Sequence, residues 1–280
     1  MNLSCGIVGL PNSGKSTLFN TLLKRQIANV ASYPFTTIEP NVGVVEVPDE
    51  RLKKLAELIK PDPSASLRTA EPKVVPATVK FIDIAGLVKN AHQGEGLGNQ
   101  FLGKIREVDA VVQVIRGFED ETVPHYYGSI DPQRDKEIVD LELELADIKK
   151  PTLYVLNTSK MENGEWKMEN LILINAQSGE GVDELIKKAY ELLKLITFYT
   201  IKGGKEITAW ALKKGEIALS AAGKVHEDMA RGFIKAEVIG FENLMNVGNW
   251  HQAKNLGKIR LEGRDYVVED GDVIEFKFNL

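Results

Sequence analysis

The chain alternates short, almost wholly apolar runs with stretches whose apolar residues recur every three or four positions. Ser4–Val8, Ala77–Ile84, Ala110–Ile115, Thr152–Leu156 and Leu171–Ile174 have strand length and few polar interruptions, as strands buried on both faces do. Between them, Ser16–Lys24 places Leu18, Phe19, Leu22 and Leu23 on one side, and Glu50–Ile59 does the same with Leu52, Leu55, Leu58 and Ile59. Gly181–Leu195 carries Val182, Leu185, Ile186, Ala189, Leu192 and Leu193 at helical spacing. Asp131-Pro132 opens a further helix, with a capping acid and then a proline in the first turn. That helix carries Ile138, Leu141, Leu145 and Ile148 and ends at Lys149-Lys150-Pro151. Asn41–Val47 alternates like an added edge strand. Strand and helix in alternation predict an α/β domain with a mostly parallel sheet and helices on both faces.

After about Ile196 the texture changes. Ile196–Thr200, Glu206–Ala211, Phe233–Ile239, Lys258–Glu262 and Val273–Phe278 are short strand-like runs, with a helix predicted over Ser220–Arg231. Lys202-Gly203-Gly204, Lys213-Lys214-Gly215 and Asp270-Gly271-Asp272 separate them as turns. The expectation is a nucleotide-binding domain over 1–196 and a small α+β domain over 197–280.

Composition narrows the classes. With 280 residues, 43% of them hydrophobic, the chain has material for a true core and is not a disordered one. The net charge of −5 speaks against gripping nucleic acid through bulk charge, and no DNA partner is expected; a local basic face remains open. The lone Cys5 excludes an internal disulfide and suits a reducing compartment. No apolar run approaches the roughly 18 residues of a membrane span, and Met1–Gly6 lacks the features of a signal peptide. The expectation is a cytoplasmic protein with no membrane partner.

The chemistry begins at Gly9-Leu10-Pro11-Asn12-Ser13-Gly14-Lys15-Ser16, followed by Thr17. This fits G-x-x-x-x-G-K-[ST] between an apolar strand and an amphipathic helix. The glycines let the loop curl its N–H groups inward, and the helix start adds positive potential. Lys15 would reach the β- and γ-phosphates and the Ser16 hydroxyl would bind Mg2+. Asn12, Ser13, Gly14 and Thr17 complete the nucleotide contacts. Phe81-Ile82-Asp83-Ile84-Ala85-Gly86 is the second element. Asp83, at a strand end, can hold Mg2+ through a water, and the Gly86 N–H can sense the γ-phosphate. Thr36 and Thr37, in Tyr33–Pro40 between the two motifs, can complete the metal shell from a loop.

With these motifs the chain resembles the YchF/Obg-like ATPase family of P-loop NTPases. The matching stretches include Cys5–Asn12, Phe35–Asn41, Asp83–Val88 and Gly94–Leu102. The C-terminal part, through Ala221-Ala222-Gly223, Gly232–Val238 and Gly263–Asp272, resembles that family's β-grasp-like TGS domain. The resemblance implies a ribosome-associated hydrolase that prefers ATP to GTP, and it selects Thr37 over Thr36. It also implies a long helical arm between the helix ending near Asp147 and the strand at Thr152. Here Ile148–Pro151 joins them directly, so the arm is missing near 147–151.

Guanine-specific relatives place Asn-Lys-x-Asp after the fifth strand. This chain has Asn157-Thr158-Ser159-Lys160, where Lys160 cannot accept hydrogen bonds from guanine. An unpaired buried edge costs roughly 1–3 kcal/mol per group, so guanine selectivity should be lost. The resemblance implies adenine contacts from Asn157 and the Thr158 backbone, while a turn that barely touches the base is the alternative. Asn175-Ala176-Gln177-Ser178-Gly179 resembles the stretch that covers the base with backbone amides, Ala176 among them. Leu87 stands where many relatives carry a water-orienting glutamine. Catalysis would then fall to K+ held beside Asn12, or to His125, which aligns with a loop histidine implicated in the family's catalysis. A lone loop histidine is otherwise a bystander. Gly94, Gly96 and Gly98 would let the loop after the second motif move.

Lys213, Lys214, Lys224, Arg231, Lys235, Lys254, Lys258, Arg260 and Arg264, with Trp210, Phe233 and Trp250, offer either a ribosomal RNA surface or a solvated mixed-charge face with core aromatics. By resemblance this domain meets ribosomal RNA or protein. Three functions stay open: an ATPase, a GTPase switch, and a nucleotide-gated adaptor with negligible turnover.

Overall fold

The computed structural model describes residues 3–25, 41–59, 72–84, 97–159, 161 and 171–279, with only the backbone of 97–100. Thr37, Gly86, Leu87, Gly94, Gly96 and Lys160 lie outside the described residues. Two compact units form, one of Met1–Val47 with Val79–Leu193, the other of Pro48–Thr78 with Lys194–Leu280.

In the first unit the runs Ser4–Val8 (β1) and Ala110–Arg116 (β5) are buried along their whole length. Successive strand side chains face opposite ways, so such strands need cover on both sides. With Val42–Glu46 (β2), Thr78–Asp83 (β4), Thr152–Asn157 (β6) and Leu171–Ile174 (β7) they make a six-stranded sheet in the order β2-β4-β1-β5-β6-β7. The pairs from β4 through β7 are parallel. Helices Lys15–Leu23 (α1), Leu97–Glu107 (α3), Pro132–Leu145 (α4) and Val182–Leu192 (α5) supply the cover. Phe101, Leu102 and Ile105 of α3 and Val139 and Leu143 of α4 join Val8, Ile84 and Val111 in one apolar cluster.

Two expectations fail here. Helix α3 was not expected, because its start at Leu97 lies within the glycine-punctuated stretch read as a loop. On α4 the expected apolar face is partly wrong: Leu141 and Leu145 are both 53% exposed, while Val139 and Leu143 face inward. The inward stripe also carries the acids Asp135 and Glu142, both buried, so an apolar count cannot find it. The α4–β6 link is short. Asp147 turns with φ 52°, and the Ile148 N–H returns to the Leu143 carbonyl at 2.9 Å.

In the second unit Leu195–Lys202 (β8) and Glu206–Lys213 (β9) form an antiparallel hairpin. Asp272–Phe278 (β12) runs parallel to β8, and Phe233–Gly240 (β10) antiparallel to β12. Arg260–Glu262 (β11) and Lys73–Val75 (β3) close the order β11-β10-β12-β8-β9-β3. This is a β-grasp with an extra strand beside its hairpin. Helix Ala218–Val225 (α6) lays Ala218, Ala221 and Ala222 on the sheet's core of Phe198, Leu212, Val238, Ile274 and Phe276. His226, in extended conformation, separates α6 from Glu227–Arg231 (α7), dividing the single helix expected over Ser220–Arg231. Phe241–Val247 (α8) and Trp250–Asn255 (α9) fill the connection before β11.

The division at Leu193 lies close to the expected boundary at 196, but Pro48–Thr78 belongs to the second unit rather than to the nucleotide-binding one. Helix Glu50–Leu58 (α2) buries Leu52, Leu55 and Ala56, and β3 pairs in parallel with β9. The Tyr199 hydroxyl donates to the Asp49 carboxylate. Arg51 joins Asp49 at 3.2 Å to Asp270 at 2.7 Å. Amphipathic spacing reports that a helix has a core face, not which core it joins. No helix among the described residues is long and apolar enough to cross a membrane.

Candidate functional site

The loop between β1 and α1 is built on backbone conformations that its sequence supplies. Gly9 has φ +149°, and a Cβ there would lie 2.3 Å from the Val114 carbonyl oxygen. Gly14 has φ +93°, and its Cβ would lie 2.2 Å from Asn157 Nδ2. Both positions exclude a side chain. Asn12 adopts φ 62°, which asparagine tolerates better than most residues.

Lys15 is 7% exposed, and its Nζ donates to the Leu10 carbonyl at 2.7 Å. Burial pushes its ammonium down to about 8, against the pull of Asp83. Asp83 ends β4 with its Oδ2 3.4 Å from Ser16 Oγ. Burial pushes the Asp83 carboxyl up, and Lys15 opposes this. Ser13 Oγ is buried with no hydrogen-bond partner among the described residues. Asn12 and the run from Gly14 to Thr17 line a cleft of about 570 Å³, walled also by Phe118–Asp120, Val123, Asn157–Ser159 and Asn175–Gln177.

Asn157 ties three segments together. Its Nδ2 donates to the Ser13 carbonyl at 3.1 Å, and its Oδ1 accepts from the Ala176 N–H at 3.0 Å. The Thr158 N–H goes to the Ile174 carbonyl at 2.8 Å. The expected donors of the base pocket, Ala176 N–H and Thr158 N–H, are therefore already engaged.

His125 does not join the cleft. Its Nε2 lies 2.7 Å from Asp135 Oδ2 on α4, and its Nδ1 accepts from the Tyr127 N–H at 3.1 Å. Because Nδ1 accepts, Nε2 carries the proton and donates. Its side chain is only 5% exposed. The residue before it, Pro124, accepts from Asn12 Nδ2 at 3.0 Å.

The aromatics proposed for RNA stacking are mostly core residues. Trp210 stacks on Phe198 at 6.4 Å and donates to Thr200 Oγ1, and Phe233 is buried. Of the basic residues, Arg231 pairs with Asp228, Lys254 with Glu237 and Arg260 with Asp272. Lys213, Lys214, Lys258 and Arg264 are exposed. Two residues went unnoticed in the sequence: Arg116, which holds residues of the cleft wall, and Asp135, which holds His125. The available signal for Arg116 was a single cation ending an otherwise buried strand. Asp135 offered none beyond a helical position.

Comparison with known proteins agrees with this geometry. Residues 4–158 match the family model described as 50S ribosome-binding GTPase (MMR_HSR1). Residues 195–279 match that of the YchF GTPase C-terminal family, described as a protein of unknown function (DUF933). The ribosome-binding ATPase YchF of Bacillus subtilis (strain 168) is 38% identical over 379 aligned positions that span all of both chains. That of Escherichia coli O157:H7 is 35% identical over 376, again spanning both. With 280 residues here, each relative carries roughly a hundred residues without a counterpart. The solved structure of the Schizosaccharomyces pombe YchF GTPase superposes with a TM-score of 0.77 at 27% identity, covering 99% of this chain and 98% of that one. A P-loop domain and a β-grasp domain that both match, over the full length of the chain, place it in one family: the chain belongs to the YchF family.

Proposed function

We propose that this protein is an Mg2+-dependent nucleoside-triphosphate hydrolase that prefers ATP and works on the ribosome in the cytoplasm. The observation that carries the reading is the side-chain-free cradle at Gly9 and Gly14, with Lys15 inside it and Ser16 Oγ beside Asp83 Oδ2. Two hard oxygens 3.4 Å apart suit Mg2+. No cluster of three or more His, Cys, Asp or Glu among the described residues could hold a metal alone, which fits an ion shared with substrate phosphates. Thr37 is the expected third protein ligand. When bound, the ion neutralises charge on the β- and γ-phosphates. Ser13 to Thr17 would orient the polyphosphate, Lys15 would neutralise it, and Gly86 would report its γ end.

Adenine is favoured because Lys160 stands where guanine-specific relatives carry an aspartate, and an ammonium cannot accept from the guanine N1–H and amine. The names of the bacterial relatives support both the ATPase reading and the ribosome as partner. We assign the residues missing relative to them to the α4–β6 link. Any contact made by an arm there is lost, and ribosome engagement falls to the C-terminal domain. For His125 to act on the γ-phosphate it must leave Asp135; K+ beside Asn12 is the other source of compensating charge.

Calorimetric titration of ATP and GTP with Mg2+ on one preparation tests the base preference. ATP should bind at least tenfold more tightly, and the reverse order would make the protein a GTPase switch. Phosphate release should exceed that of Lys15→Ala and rise with K+ or ribosomes. Release no greater than the variant's under every condition would leave a nucleotide-gated adaptor.

A further inference from the structure

Arg116 ends β5 and is 2% exposed. A guanidinium almost never lies buried without a carboxylate in direct contact, yet among the described residues no acid makes an ion pair with it, Asp120 acting on it only from a distance. Its donors go instead to three main-chain carbonyls. Nε donates to Phe118 at 3.1 Å, Nη1 to Asn12 at 3.3 Å and Nη2 to Val123 at 2.7 Å. Its charge lies 4.4 Å above the Phe118 ring centroid. Phe118 and Val123 bracket the cleft's outer wall, and Asn12 is the left-handed turn of the P-loop.

We infer that Arg116 is a positioning residue for the polyphosphate: one buried cation that fixes the P-loop turn and the facing wall together and strengthens the anion site from behind. Two physical arguments support this. A guanidinium forks its donors in a plane, so a single side chain can hold three carbonyls from two segments, which an ammonium cannot match. A cation on the Asn12 carbonyl also polarises the Asn12–Ser13 peptide, which makes the Ser13 N–H a stronger donor. That N–H makes only a long 3.4 Å bond to the Leu10 carbonyl, so it can turn to a phosphate oxygen. A buried positive charge acts at greater strength than one at the surface, and Asp120 at the cleft mouth shares its field without pairing with it directly.

The inference rests on the nucleotide-binding reading above, and the experiment separates the two. ATP, ADP and AMP affinities are measured with Mg2+ for the wild type, Arg116→Lys and Arg116→Met, with circular dichroism to verify folding. Wild-type protein that binds no nucleotide would overturn the reading itself. If Arg116 acts on the polyphosphate, Arg116→Met loses about a hundredfold for ATP and only a few-fold for AMP, with ADP between. Arg116→Lys, keeping charge but not the fork, loses about tenfold for ATP. A purely structural arginine would lower the melting temperature and weaken all three ligands by one factor, and that result overturns the proposal. Should Arg116→Met not fold, the ATP-to-AMP affinity ratio of Arg116→Lys decides: a fall of threefold or more supports the assignment, and an unchanged ratio overturns it.

Discussion

At the scale of single residues, the site is held in a state that costs the protein something when empty. Lys15 is pushed down to about 8 from 10.5 by burial, so between those values the folded chain binds fewer protons than the unfolded one. Stability of the free protein should therefore rise with pH across that window. Nucleotide binding has the opposite sign, because a polyphosphate favours the charged amine. ATP affinity should fall as pH passes about 8. Titrations at pH 8.5 in two buffers of different ionisation heat should show proton uptake, and equal heats would remove Lys15 from the phosphate contacts. Gly14→Ala places a methyl against Asn157 Nδ2 at an unfavourable φ. It should break the Asn157–Ser13 bond, cost about 1–3 kcal/mol of stability, and weaken ATP more than tenfold by calorimetry.

At the scale of elements, the faces of α4 and α2 make separable claims. Leu143→Ala should destabilise by about 2–5 kcal/mol, whereas Leu141→Ala, on the outward face, should stay within about 0.5 kcal/mol. Denaturant melts of the two variants compare them directly. The strands of the first sheet were legible because most are largely apolar runs, and β2 alternates as an edge strand does. The P-loop was legible because its glycines, lysine and serine follow such a run. Contact across distance was not legible. Val139 and Leu143 share their face with Asp135 and Glu142, and Asp135 is there because it accepts from His125. Likewise His125 could be singled out from the chain, but its partner, four positions into a different element, decides which way its ring points. Helices α8 and α9 are short, with Gly240 and Asn249 at their N-caps, so they carry too few turns for a periodic signal.

At the scale of the whole molecule, two cores divide one chain, and function should divide with them. Mg2+-ATP at a hundred times its dissociation constant should add about 2.7 kcal/mol to the unit that binds it. Hydrogen exchange should show the gain in 1–47 and 79–193 and little in 194–279. Leu55→Ala, by contrast, removes a fully buried side chain from the second unit. It should raise exchange in β9 while leaving ATP affinity unchanged.

The excursion of Pro48–Thr78 has a consequence for how this protein is made. Strand β3 ends at Val75, and its partner β9 starts at Glu206. A ribosome adding roughly 5–20 residues per second leaves that strand without its neighbour for about 7–26 seconds, with Leu52 and Leu55 of the helix before it also awaiting cover. A nascent chain of this kind is a natural client for a holdase. A fragment beginning at Lys194 would emerge with an open sheet edge, to be closed only by supplying the stretch from Pro48 to Thr78 as a separate peptide.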